Sequence, residues 1–389
     1  ADIVVEGELI LEIKAAKGGE PGKPIRLAGV DRGAGLPQFI GDFDKRKGWS
    51  KFFDAKEGVS HLEITGIRLK RYRIGIHLRG KSSHVRISQL TVEEANEGIR
   101  SDGGAELGNP DAATHDVVVS DCRFEKFTKR GIRLQNGNYR WRIERCHADA
   151  GGKEWGVESF PMGFQLSARL AVHGGADDVV AMDHDLELID CVAVNCYYEG
   201  TRPENKGSPK AYWNGDGFCA ESGSRNLRFV RCVSMHHTDA GWDIKADSPE
   251  FIDCIAIDNK ENFRFWAGTA RMTNCVSAFA FKRGGSGAAA ALWTKCAVEA
   301  RLCTFIDGGL AIADPSASIV LRDSLFVGPA PVKNAERITF ENSVVAAGDG
   351  PDDPRIAARK GFEWIRPTVD FDSALHGESK GFSSVRWGR

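Results

Sequence analysis

One short pattern recurs along this chain and restricts its fold more than any other feature: an apolar segment that closes on a polar residue and a cysteine. It reads Val118-Val119-Ser120-Asp121-Cys122, Leu186-Glu187-Leu188-Ile189-Asp190-Cys191, Leu227-Arg228-Phe229-Val230-Arg231-Cys232, Phe251-Ile252-Asp253-Cys254 and Met272-Thr273-Asn274-Cys275. The last three cysteines are 22 and 21 residues apart. Cys146 and Cys303 join the column, and Ser324 and Ser343 stand in the same place later on. A second element, Gly-apolar-x-apolar, follows several residues after each: Gly75-Ile76-His77-Leu78, Gly131-Ile132-Arg133-Leu134, Gly163-Phe164-Gln165-Leu166, Gly217-Phe218-Cys219-Ala220 and Gly241-Trp242-Asp243-Ile244. Two short strands per unit, with turns between them, are the signature of a stacked solenoid.

The leucine and asparagine signature of leucine-rich repeats is missing, and propeller blades need about 40 residues or more. The expectation is therefore an all-β chain, a right-handed parallel β-helix of about ten coils forming one domain over residues 1–389. From Gly348 the repeat fades and Pro351, Pro354 and Pro367 appear, so 350–389 is expected to cover the last coil. The 54 residues from Gly163 to Gly217 read as a coil interrupted by loops. In such a stack the ten cysteines form a reduced, buried packing ladder, with Cys191 and Cys196 open to pairing across a bend.

Composition removes several functions. With 52 basic against 54 acidic residues the net charge is −2, which offers no concentrated basic surface for nucleic acid. No run approaches the roughly 18 apolar residues of a membrane span, and recognition by charge has to be local.

Stacking converts the repeat into a surface. Successive coils lie about 4.8 Å apart, so the x residues form one outward column: His77, Arg100, Arg133, Gln165, Cys219, Asp243, then Arg264 from Asn262-Phe263-Arg264-Phe265. Beside it runs a column of acids, Asp216, Asp239 with Ala240, and Glu261. Hard cations take several carboxylate oxygens, so Asp216, Asp239, Asp243 and Glu261 form a candidate calcium site. The plainer alternative is a surface ion pair between Asp243 and Arg264.

Asn214-Gly215-Asp216-Gly217-Phe218 followed by Asp239-Ala240-Gly241-Trp242-Asp243-Ile244 resembles the core of the family 9 polysaccharide lyases, which include calcium-dependent pectate lyases. The resemblance covers roughly residues 190–285. It implies calcium ligands at Asp216, Asp239 and Asp243, and places the family's basic lysine on Arg264. Ala240 stands where a further acidic ligand is expected. The reaction implied is β-elimination from a uronic acid, in which the substrate carboxylate is neutralised and a base removes the neighbouring proton. Other pectate lyase families of this fold use an arginine as base. If Arg264 keeps its proton it clamps a carboxylate instead, and Lys245 is the first substitute, ahead of Lys260 and Lys282.

The insert Asn195 to Trp213 is aromatic and partly basic and enters the site coil, so Tyr198, Arg202 and Trp213 are expected along the cleft with Arg100, Arg133 and His237 as substrate contacts. The partner implied is an acidic polysaccharide, handled by a monomer that is secreted or periplasmic and whose leader is absent from this sequence. A uronan C5-epimerase, a hydrolase using Asp216 and Asp239, and a non-catalytic polysaccharide binder are the alternatives.

Overall fold

The computed structural model describes residues 10–15, 17–33, 35–104, 112–155, 160–168, 183–200, 212–328 and 334–346. The chain folds as the expected right-handed parallel β-helix. On the face that carries the site, eleven parallel strands stack, from Ile13–Ala15 and Lys51–Ala55 through Asp216–Ala220, Ala240–Ile244 and Glu261–Phe265 to Leu310–Ile312. The expected cover over 350–389 and Arg202 lie outside the described residues.

Between Thr114 and Ile312 each coil has three strands where the repeat suggested two, whereas in earlier coils Ser60–Lys70 and Ser83–Glu93 run unbroken. The segment before each cysteine is one strand, for example Arg225–Val230, and a short one follows it, for example Val233–Met235 or Ile255–Ile257. Between them the chain bends sharply at the residue preceding the cysteine, or preceding Ser324 in its place, which adopts a left-handed conformation in Asp121, Asp190, Arg231, Asp253, Asn274 and Asp323. Aspartate and asparagine tolerate that region better than most side chains, which explains the polar residue in the pattern. The cysteines are buried and free, Cys191 and Cys196 included.

The apolar positions of Gly-apolar-x-apolar build the interior. Phe164, Phe218, Trp242 and Phe263 stack ring on ring with centroids 4.9, 5.0 and 4.8 Å apart, close to the spacing of neighbouring strands. Each such pair adds about 0.5–1.5 kcal/mol beyond the area it buries. The glycine marks a crowded corner. A Cβ on Gly217 would collide with Ser234 Oγ and lie 2.6 Å from His237 Nε2.

On the outer face of other strands, charges alternate from coil to coil. Arg142, Glu187, Arg228, Glu250, Arg271 and Glu299 stand in register, the first four linked by bonds of 2.6 to 2.9 Å. These exposed pairs set register against slippage and contribute little to stability individually.

Candidate functional site

The outward column forms in the expected order. Strand pairing places Asp54 beside His77, then Arg100, Arg133, Gln165, Cys219, Asp243, Arg264 and Trp293 in unbroken succession. In the neighbouring column Ala240, not Asp239, stands in register with Glu261. Asp239 belongs to the turn before the strand, and its carboxylate reaches back over the site.

Arg264 is the centre of the cluster. Its side chain is only 6% exposed, and its three nitrogens donate to three carboxylates at 2.9 Å: Nε to Asp243 Oδ1, Nη1 to Glu261 Oε2 and Nη2 to Asp239 Oδ2. Asp216 Oδ1 lies 3.8 Å from Nη2. Burial works against the guanidinium, but Asp243, Asp239, Asp216 and Glu261 overcome it and hold its pKa well above the ordinary arginine value. Arg264 is thus a fixed cation. The expectation that it serves as a base does not fit this environment, because four anions oppose loss of its proton.

Around it, Lys260 Nζ bonds Asp239 Oδ1, and Tyr212 Oη donates to Asp239 Oδ2 at 2.6 Å from above. Trp266 Nε1 donates to Asp243 Oδ1 at 2.6 Å. Lys245 Nζ lies 2.9 Å from Glu221 and 3.5 Å from Asp243, with about a quarter of its side chain exposed. Burial favours its neutral amine, but Asp243, Cys219 and Glu221 raise its pKa above the ordinary lysine value.

This ion-pair network joins five carboxylates (Asp216, Asp239, Asp243, Glu261, Glu221) to three cations (Arg264, Lys260, Lys245). Two negative charges therefore lack a partner when all are ionised. The imbalance shows at Asp216, which is fully buried. Burial, then Asp239 and Asp243, push its carboxyl up to about 8. Its Oδ1 accepts from the Ala240 amide at 2.9 Å, while Oδ2 is buried with no hydrogen-bond partner.

Which of the expected metal ligands fit a cation follows from these contacts. Asp239, Glu261 and Asp243 all serve Arg264; Asp239 has both oxygens engaged, by Arg264, Lys260 and Tyr212, whereas Asp243 uses Oδ1 for Arg264 and Trp266 and leaves Oδ2 3.5 Å from Lys245. The donors that converge are Asp216, Asp243 and the Cys219 sulfur, within 4.8 Å of one another. The orphan Asp216 oxygen and the charge deficit fit a divalent cation. Calcium takes about six to eight oxygens, so two carboxylates would leave most of its shell to water and substrate, and the thiol would add nothing to a hard ion.

The other expected contacts divide. Arg100 and Arg133 face the groove, joined through Glu97, with Arg133 Nη1 2.9 Å from Glu97 Oε1. Trp213 is half-buried, its ring against Gly284 and 6.1 Å from Tyr197. Tyr198 and His237 are not in the groove. Tyr198 is 5% exposed and packs edge-on to Phe160. His237 is fully buried, its Nδ1 accepting from the Cys196 amide, and burial followed by the neighbouring His236 lowers its pKa to about 3. Both hold a corner of the coil together.

Beyond the residues expected from the repeat stands an aromatic wall. Trp293 follows Arg264 in the column, and Trp266 lies 4.8 Å from it, with Lys295 Nζ 4.5 Å above the Trp266 ring. No Gly-apolar-x-apolar element announces Trp293, since its strand reads Ala290–Thr294. Continuing the column one coil past Arg264 would have found it.

No family model matches the chain, and no curated protein matches its sequence. Among solved structures it is similar to pectate lyase Pel9A, at 14% identity over 83% of this chain and 68% of that one, with a TM-score of 0.47. It is also similar to the A-module of mannuronan C-5 epimerase AlgE4 from Azotobacter vinelandii, at 12% identity over 87% and 90% of the two chains and a TM-score of 0.37. A rhamnogalacturonan lyase aligns at 13% identity over 87% and 74%, with a TM-score of 0.33. At these scores the site residues have to be read from their own geometry.

Proposed function

We propose that this β-helix is a polysaccharide lyase that cleaves a uronate-containing chain by β-elimination at the Arg264 cluster. The observation that carries the reading is the cluster itself: an ion-pair network two positive charges short, open at Lys245 and flanked by the Trp266–Trp293 wall. Sugar rings pack their apolar faces on aromatic side chains, and a site short of positive charge recruits a cation that a uronate carboxylate can share.

Asp216 and Asp243 are the residues that would hold calcium. When bound there, the ion would supply charge to the substrate carboxylate, acidifying the adjacent proton, and would offset the anionic surroundings that keep Lys245 protonated. Lys245 Nζ, at the open edge, is the group placed to accept the proton. Arg264 is a positioning residue, since it fixes Asp239, Asp243 and Glu261 through its three bonds. Tyr212 Oη keeps its proton, because burial and the charges of Asp216 and Asp239 raise its pKa, and donates it to Asp239 in a hydrogen bond, so Tyr212 positions that carboxylate while the leaving oxygen takes its proton from water.

The test is the near-ultraviolet absorbance of the unsaturated sugar end formed from a panel of polyuronates, with calcium and with chelator. Lys245→Ala is expected to lower turnover by about 10²–10⁴-fold while substrate binding persists. Sugar inversion without cleavage would reassign the protein as an epimerase, and reducing ends without absorbance as a hydrolase. Binding with no product on any polymer would leave a polysaccharide-binding β-helix.

A further inference from the structure

The groove does not end at the Arg264 cluster. On the same face, at its N-terminal end, lies a cavity of about 250 Å³ lined by Lys14, Trp49, Lys51, Asp54, Lys56 and Arg79, with Glu12 at its rim. Its charge is opposite to that of the cluster, since four cations face two carboxylates. Arg79 grips Asp54 through Nε at 2.9 Å and Nη2 at 3.1 Å, and Lys51 Nζ bonds Asp54 Oδ2 and His77 Nδ1, each at 3.2 Å. Trp49 beside it is 75% exposed, with the Arg73 guanidinium 4.1 Å from its ring.

Asp54 and Asp243 belong to one register column and are six coil steps apart, which is about 29 Å at the usual strand spacing. Midway along the groove, Arg133 Nε and Gln135 Oε1 are buried without hydrogen-bond partners. Buried polar atoms without partners are costly and call for a partner the protein does not itself provide. Hydroxyls and carboxylates of a bound sugar chain, or the waters they displace, would fill that role.

We infer that the Trp49–Lys56–Arg79 cavity is a distal subsite for a carboxylated sugar, so that one polyuronate chain lies along the face from this cavity to the Arg264 cluster. The assignment rests on the polyuronate reading above and adds where the far end of the substrate is held. The exposed indole takes the apolar face of a sugar ring, and the excess cationic charge takes its carboxylate. Because the two ends are joined through one ligand, losing the distal contact weakens only chains long enough to reach it.

The experiment is calorimetric titration of the full chain with two size classes of oligouronate, one able to span ~29 Å and one too short. It compares the wild type with Trp49→Ala and Lys56→Ala. Both residues are exposed, so neither substitution threatens folding. Each variant is expected to bind the long oligomer about tenfold more weakly and the short one unchanged. A neutral oligosaccharide and inorganic phosphate serve as controls, and phosphate binding as tightly as the long uronate would overturn the sugar assignment. Equal affinity of wild type and variants for the long oligomer would refute the subsite and leave the proposed function standing. If wild type binds no uronate of either length, the proposed function fails and the subsite falls with it.

Discussion

Replacing Arg264 by methionine tests the site most directly, because it keeps much of the side-chain volume and removes only the charge. The loss would leave Glu261 without its ion-pair partner and Asp216 further from any cation, while Asp239 keeps Lys260 and Asp243 keeps Lys245 and Trp266. Breaking one partner out of a buried ion pair costs about 3–5 kcal/mol, and that loss is expected at pH 8 in chelator. The cost has a sign in pH. Glu261 and Asp216 already titrate above the ordinary carboxylate range, Glu261 through burial and Asp239, Asp216 through burial with Asp239 and Asp243. Without Arg264 both rise further, so protonation relieves the strain, and the deficit shrinks as the pH is lowered toward 5. Urea unfolding followed by tryptophan fluorescence reads the effect. Hydrogen exchange at the Ala240 and Glu261 amides is the local companion, because a long solenoid need not unfold in one step. A deficit below about 1 kcal/mol at pH 8, the value of an exposed surface pair, would refute the description of Arg264 as the buried hub.

Two further outcomes follow from the same geometry. In chelator, Asp216 has a folded pKa near 8, far above its unfolded value, so its contribution to stability is full at low pH and is lost as pH rises through about 8. Asp216→Asn should flatten that slope, which runs from about pH 4 to about pH 8, in thermal melts, and an unchanged slope would assign it to another group. Gly217→Ala should destabilise the protein by about 1–3 kcal/mol through overpacking against Ser234 and His237, measured by urea unfolding. A neutral result there would refute the close packing of Gly217 against Ser234 and His237.

The outward column from His77 to Arg264 was legible because a parallel ladder advances one coil per strand and keeps like positions together. Once the glycine elements were aligned, the neighbours were determined. The third strand of the coils between Thr114 and Ile312 was not legible, since Val233–Met235 and its equivalents are three residues long and carry no period of their own. Tyr198 and His237 sit in a polar, aromatic stretch that reads as surface. They are buried by contacts between distant parts of the coil, His237 against Gly217 and Tyr198 against Phe160. The cation-lined cavity at Trp49 left no trace in the repeat. Its residues come from the first coils and their turns, where the pattern is weakest.

The amino-acid sequence by itself determined the solenoid, its stacked interior and which outward side chains are neighbours, because backbone hydrogen bonding between coils admits one register that keeps the aromatic ladder buried. Only the tertiary structure decided how the charges pair. Asp239, one residue off the register, bends back to share Lys260 and Arg264, while Asp216 is left buried with a free oxygen. That choice depends on desolvation and corner geometry, which act on atoms brought together by folding and have no counterpart in the order of residues along the chain.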